Sequence, residues 1–179
     1  VVWSLLHDYQ RRRIEIFLDP GSDPLGAGYH ITQSKIALAS GGLDGKGYLM
    51  GTQSRLGFLP EKHTDFIFPT LAEEWGFIGS AVVIALFALL ATLLLLISLR
   101  CANRFGRLVI SGMALVVFAY TFVNIAMVVG LVPVVGVPLP FVSYGGTSMI
   151  TMLCGIGIAM CAYVERRRNI ERRDIHPLF

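Results

Sequence analysis

From Trp75 to Leu99 the chain carries 25 residues without one Asp, Glu, Lys or Arg, and about 20 apolar residues suffice to cross the hydrocarbon core of a bilayer as a helix. A membrane-spanning helix is therefore predicted over 69–99. Residues 108–164 hold no formal charge either, but Pro133, Pro138, Pro140 and the pair Gly145-Gly146 interrupt them, and such residues break a helix. Two further spans, 108–130 and 148–164, are predicted on either side of a Pro/Gly connector at 131–147. Backbone so irregular at membrane depth must face protein or water, because an unpaired N–H or C=O in lipid costs several kcal/mol. Residues 1–7 read as the end of another membrane helix and 8–68 as a long loop. The fold class is thus an all-α polytopic transmembrane helical bundle, three complete spans plus the end of a fourth, with one large loop.

Composition agrees with this pattern. The chain is 54% hydrophobic and 15% charged, with a mean hydropathy of +0.65, outside the range of ordinary soluble domains. It opens Val1-Val2-Trp3-Ser4-Leu5-Leu6, with neither an initiator Met nor the charged-apolar-small pattern of a cleaved signal, so it reads as a cut with further helices upstream. Cys101, Cys154 and Cys161 lack metal-ligand spacing and are odd in number, which argues for packing rather than a disulfide framework. The net charge of +3 matters less than its distribution. Arg100, Arg104 and Arg107 separate the first two complete spans, while Arg166, Arg167, Arg168, Arg172 and Arg173 follow the last. The positive-inside rule puts 100–107 and the tail 165–179 in the cytoplasm. The loop 8–68 and the connector 131–147 are then extracytoplasmic. Topology accounts for the arginines without nucleic acid.

A loop of that length is functional more often than idle. Asp19-Pro20-Gly21-Ser22-Asp23-Pro24 reads as consecutive turns. Residues 29–39 have apolar positions at helical spacing, predicting a short amphipathic helix stopped by Gly41-Gly42. Six glycines between Gly41 and Gly57 predict backbone able to approach a ligand. Gly41-Gly42-Leu43-Asp44-Gly45-Lys46-Gly47 lacks the spacing and the Ser/Thr of a nucleotide-binding P-loop. The loop's seven basic residues, Arg11, Arg12, Arg13, Lys35, Lys46, Arg55 and Lys62, face seven acids. They belong either to a solvated, balanced surface or to a site for an anionic substrate, since Lys and Arg recognise phosphate by charge-assisted hydrogen bonds.

Asp65 falls just before a predicted membrane helix, with Pro69 in that helix's first turn, where a missing N–H is harmless. Two readings compete. The carboxylate caps the helix and is favoured by its dipole, or Phe66, Ile67 and Phe68 desolvate it, raise its pKa and make it a general base near neutral pH. Glu73 and Glu74 lie about two turns further in, where charge is costly unless it faces a polar interior. Adjacent helical positions diverge by about 100°, so at most one shares a cavity with Asp65; structural pairing and function both remain open for them. His63 and Asp65 alone do not make a metal site, for no second ligand cluster accompanies them.

The strings Pro60-Glu61-Lys62-His63-Thr64-Asp65-Phe66-Ile67-Phe68, Glu73-Glu74-Trp75-Gly76 and Pro138-Leu139-Pro140-Phe141-Val142-Ser143-Tyr144-Gly145-Gly146-Thr147-Ser148 resemble the SEDS (shape, elongation, division and sporulation) family. So do Gly28-Tyr29-His30-Ile31-Thr32-Gln33-Ser34 and Gly51-Thr52-Gln53. The resemblance implies a ten-span inner-membrane peptidoglycan glycosyltransferase acting on lipid II with a class B penicillin-binding protein, of which this chain holds the end of helix seven, the fourth outer loop and helices eight to ten. Such a piece is not expected to be active alone. Gly136-Val137-Pro138-Leu139-Pro140 looks like the RodA branch; the FtsW branch tends to carry Lys where Val135 stands and a Leu-Thr pair after the Gly.

Asp65 matches the family's essential aspartate and is the candidate general base. Arg13, Lys35, Lys46, Gln53, Arg55, Lys62, His63, Glu73, Glu74 and Ser143 are candidate substrate-binding residues. No tightly bound cofactor or protein-held metal is expected, though a soluble divalent cation is a candidate to share the charge of the leaving pyrophosphate. Alternatives are a lipid II flippase, which broken helices would suit, and a membrane scaffold for the transpeptidase, in which Asp65 would be dispensable.

Overall fold

The computed structural model describes residues 7–19, 21, 23, 26–55, 64–101 and 103–175, without the side chains of 27, 54, 55 and 165–175. Secondary structure among them is helical: α1 (Asp8–Leu18), α2 (Ala27–Ser40), the single turn α3 (Thr52–Arg55), α4 (Ile67–Leu99), α5 (Arg104–Val129) and α6 (Gly146–Ile175). Three of these, Ile67–Leu99, Arg104–Val129 and Gly146–Val164, are long and apolar enough to cross a membrane. Residues 1–6, where the end of a fourth span is predicted, lie outside the described residues, as do Pro20, Ser22 and Pro24 of the predicted turns.

The chain divides into two units. The first joins residues 1–83 to residues 120–144 and contains the long loop. Helix α1 is fixed at its start by the His7 backbone N–H, which donates to Gln10 Oε1 at 3.1 Å, and by Asp8 in the first turn, where the dipole favours an acid. The predicted helix at 29–39 is α2. Its buried face is Gly28, Ile31, Ser34 and Ala37, and small residues there allow close approach to α5. Ser34 Oγ lies 2.8 Å from its own helix's Ile31 O and 2.9 Å from Val128 O on α5. The hydroxyl thus bridges the loop helix to the last turn of α5. Helix α5 ends with Gly130 at φ 80°, Gly130 N donating to Met127 O and Leu131 N to Ala126 O. This is the Schellman pattern, which asks for glycine at the left-handed position.

Helix α4 is broken at Gly76 (φ 68°, ψ −162°), a conformation open essentially to glycine alone. The break frees carbonyls on one side and N–H groups on the other, and segment 42–47 satisfies four of them. Lys46 N donates to Glu73 O at 3.0 Å and Gly47 N to Glu74 O at 3.0 Å; Phe77 N donates to Gly42 O at 2.9 Å and Ile78 N to Leu43 O at 3.2 Å. The two backbones approach so closely that a Cβ on Gly76 would run into Gly45 N and Leu43 O. Part of the glycine-rich stretch 41–57 approaches the broken helix, whose opened turn needs partners there.

The second unit comprises residues 84–119 and 145–179. Phe87, Ala91, Leu94, Ile110, Ala114, Val117, Met152 and Ala159 are buried in it. Ser98 Oγ donates to Arg107 O at 2.9 Å across the α4–α5 turn, and buried Cys101 packs with its sulfur 3.9 Å from Ala162 O. Only 11% of the Gly146–Val164 span is buried, which leaves its apolar side chains for lipid or other helices.

Candidate functional site

Asp65 occupies the turn 64–66 that leads into α4, half-buried, ahead of the buried Phe66 and Phe68. Two side chains hold the backbone on either side of its peptide plane. Ser143, buried in the connector, donates from Oγ to Thr64 O at 2.6 Å and accepts from Leu139 N at 2.8 Å. Asn124, fully buried on α5, donates from Nδ2 to Asp65 O at 3.0 Å and to Val137 O at 2.7 Å. The connector also passes close to the carboxylate, for a Cβ on Gly136 would stand 3.4 Å from Asp65 Oδ2. The His30 ring of α2 lies 5.9 Å from that of Phe66. An acid is thus presented at the start of α4 on a backbone held by part-buried hydrogen bonds.

Arg13 comes to the same connector from the loop, and Lys35 to the end of α5 beside it. Arg13 Nη1 donates to Val134 O, with its guanidinium 4.4 Å from the Tyr9 ring centroid. The exposed Lys35 side chain lies over Gly130, where a Cβ would come within 2.6 Å of Nζ.

Lys46, Gln53 and Glu73 gather elsewhere, at the helix break. The Glu73 carboxylate, fully buried, accepts from Lys46 Nζ at 2.8 Å, Thr52 N at 2.7 Å, Thr52 Oγ1 at 2.9 Å and Gln53 N at 3.0 Å. Lys46 and Glu73, named from the sequence as substrate groups, are therefore spent on each other and on α3. The physical reason is that a carboxylate at this depth needs a cation and several donors, and the loop supplies both. Gln53 enters through its backbone N–H. Glu74 is partly buried and contributes its carbonyl to the loop. Ser143 is committed to the backbone. Arg55 lies in α3, its side chain outside the description, and Lys62 and His63 lie outside the described residues. Sequence reasoning missed Asn124; an amide in a charge-free helix was its only signal.

The FtsW/RodA/SpoVE family model, described as "Cell cycle protein", matches residues 1–168. The chain is 56% identical over 168 residues to the peptidoglycan glycosyltransferase MrdB of Escherichia coli K12, covering 93% of this chain and 45% of that protein. It is 44% identical over 156 residues to the peptidoglycan glycosyltransferase RodA of Treponema pallidum, covering 87% of this chain and 36% of that protein. Among solved structures it matches a chain from work on structural coordination of polymerization and crosslinking by a peptidoglycan synthase complex. The TM-score is 0.75 at 35% identity, over 93% of this chain and 45% of that one. A crystal structure of an Asp-to-Ala mutant of Thermus thermophilus rod shape determining protein RodA matches with a TM-score of 0.58 at 35% identity, over 73% of this chain and 40% of that one. The chain spans less than half the length of these relatives. A match over residues 1–168, on a chain with three helices fit to cross a bilayer, makes this a multi-pass membrane protein of the FtsW/RodA/SpoVE family.

Proposed function

We propose that the protein of which this chain is part is a peptidoglycan glycosyltransferase that joins lipid II units into β-1,4 glycan strands during cell elongation, with Asp65 as general base. The observation that carries the reading is Asp65 itself, set on a turn whose Thr64 and Asp65 carbonyls are held by Ser143 and Asn124. In the reaction, Asp65 accepts the proton of the acceptor GlcNAc 4-hydroxyl as that oxygen bonds to the anomeric carbon of the donor MurNAc. The bond from that carbon to undecaprenyl pyrophosphate breaks, and its electron pair leaves with the phosphate. Attack opposite the leaving group inverts the centre. A placed base contributes about 10²–10⁴-fold.

Arg13, which donates to Val134 O in the connector, and Lys35, which lies over Gly130 at the end of α5, are the favoured cations for the pyrophosphate. Arg55 and Lys62 remain candidates, as does a soluble divalent cation, since charge developing on a leaving group is stabilised by pre-placed positive groups. A class B penicillin-binding protein is the proposed partner. The arginines at 100–107 and 166–173 support a cytoplasmic C-terminus in a bacterial inner membrane. Val135 and the run Gly136-Val137-Pro138-Leu139-Pro140 favour elongation over division.

The broken α4 favours a second reading, a lipid II flippase, since carriers use interrupted helices to hold cargo. Against it, Glu73 O, Glu74 O, Phe77 N and Ile78 N are all bonded to the loop rather than open to a passenger. The test is lipid II polymerisation by the full-length protein with its partner: Asp65→Ala and Asp65→Asn should lose glycan synthesis by at least about 10²-fold. Undiminished synthesis in both removes the base. Robust flipping in liposomes without polymerisation promotes the carrier.

A further inference from the structure

Asn124 is an expensive choice for its position. It is fully buried on α5, its Oδ1 has no hydrogen-bond partner among the described residues, and a buried acceptor left unsatisfied costs about 1–3 kcal/mol. An apolar residue would avoid that penalty in a membrane helix. What the amide supplies is a pair of N–H groups aimed at two carbonyls 72 residues apart in sequence, Asp65 O at 3.0 Å and Val137 O at 2.7 Å. Both targets are acceptors only, so chemistry fixes which end of the amide faces them. The bridge ties the turn bearing Asp65 to the part of the connector where Gly136 lies against Asp65 Oδ2. Ser143 makes a parallel tie one residue earlier, at Thr64 O.

We infer that Asn124 is a positioning residue for Asp65: its amide fixes the Asp65 carboxylate against the connector, and catalysis depends on that bridge. The inference rests on Asp65 being the base. A displacement of about 1 Å at a reacting group can cost about 10²-fold in rate. Asn124→Leu keeps the branching of the side chain and removes both donors together with Oδ1; in the folded variant kcat for lipid II polymerisation falls about 10–100-fold. KM for lipid II changes less than about threefold, because uniform substrate binding is untouched. Asn124→Ser, smaller and able to donate once, gives an intermediate loss and serves where the leucine variant does not fold.

The measurement is steady-state polymerisation by the full-length protein in complex with its partner, for wild type, Asn124→Leu, Asn124→Ser, Asp65→Ala and the double variant Asp65→Ala/Asn124→Leu. A group acting only through Asp65 adds no further loss in the double variant. Folded Asn124 variants with wild-type kcat, or a double variant well below Asp65→Ala, overturn the inference. If Asp65→Ala alone retains full turnover, the base assignment has failed instead, and the two failures are told apart.

Discussion

Glu73 is the most heavily committed side chain among the described residues, and its partners make its removal predictable. Four donors converge on its carboxylate at 2.7–3.0 Å. Glu73→Ala leaves Lys46 Nζ and two backbone N–H groups without that acceptor. Breaking a buried pair costs about 3–5 kcal/mol, and the low end applies because the Lys46 side chain is 28% exposed. Thermal unfolding of the detergent-solubilised full-length protein should register the loss, while Asp44→Ala, an exposed acid in the same loop, should fall within about 0.5 kcal/mol of wild type. Equal effects at the two positions would mean the network carries no stability. The sequence marked both Glu73 and Glu74 as acids too deep to be idle. It could not say which was spent, because that depends on where residues 46 and 52–53 fold.

At the scale of the element, α4 is the informative case. By length and apolarity it reads as one uninterrupted span, and single glycines at 76 and 79 are no more a break than Gly112 in α5, since an isolated glycine costs a helix only about 1 kcal/mol. The break is enforced by segment 42–47, which replaces helical hydrogen bonds with bonds of its own. Gly76→Ala should destabilise the protein by about 1–3 kcal/mol from backbone conformation alone, with more from the clash against Gly45 and Leu43. Gly112→Ala, with open space around its Cβ, should be neutral or stabilising by about 0.5–1 kcal/mol. Melting temperatures of the two variants decide it: an unperturbed Gly76→Ala protein would mean the helix runs straight through. Two helical segments also went unforeseen. Helix α1 buries only Ile16, so it lacks the apolar period that reveals a helix, and α3 is a single turn fastened by Glu73.

For the whole molecule, the decisive property is orientation across the bilayer. In a background with Cys101, Cys154 and Cys161 replaced, Tyr48→Cys should react with an impermeant maleimide on intact spheroplasts. Asn103→Cys should react only after permeabilisation. The reverse pattern would put Asp65 on the side away from the growing wall and end the polymerase reading. Large apolar side chains of α6, among them Ile150 at 64% and Ile158 at 60% exposure, accord with an element made to meet lipid or further helices.

Three apolar spans, the irregular connector between the last two, and an acid at the mouth of the first were legible in the residues because each is a local property: the length of a charge-free run, the place of a proline, the type of residue before a helix. Tertiary structure alone decided which polar groups serve each other. Glu73 finds its donors 20–27 residues back in the chain, and Asp65 is held by an amide 59 residues on. A desolvated polar group must be paired, but periodicity and composition do not specify the partner; packing does.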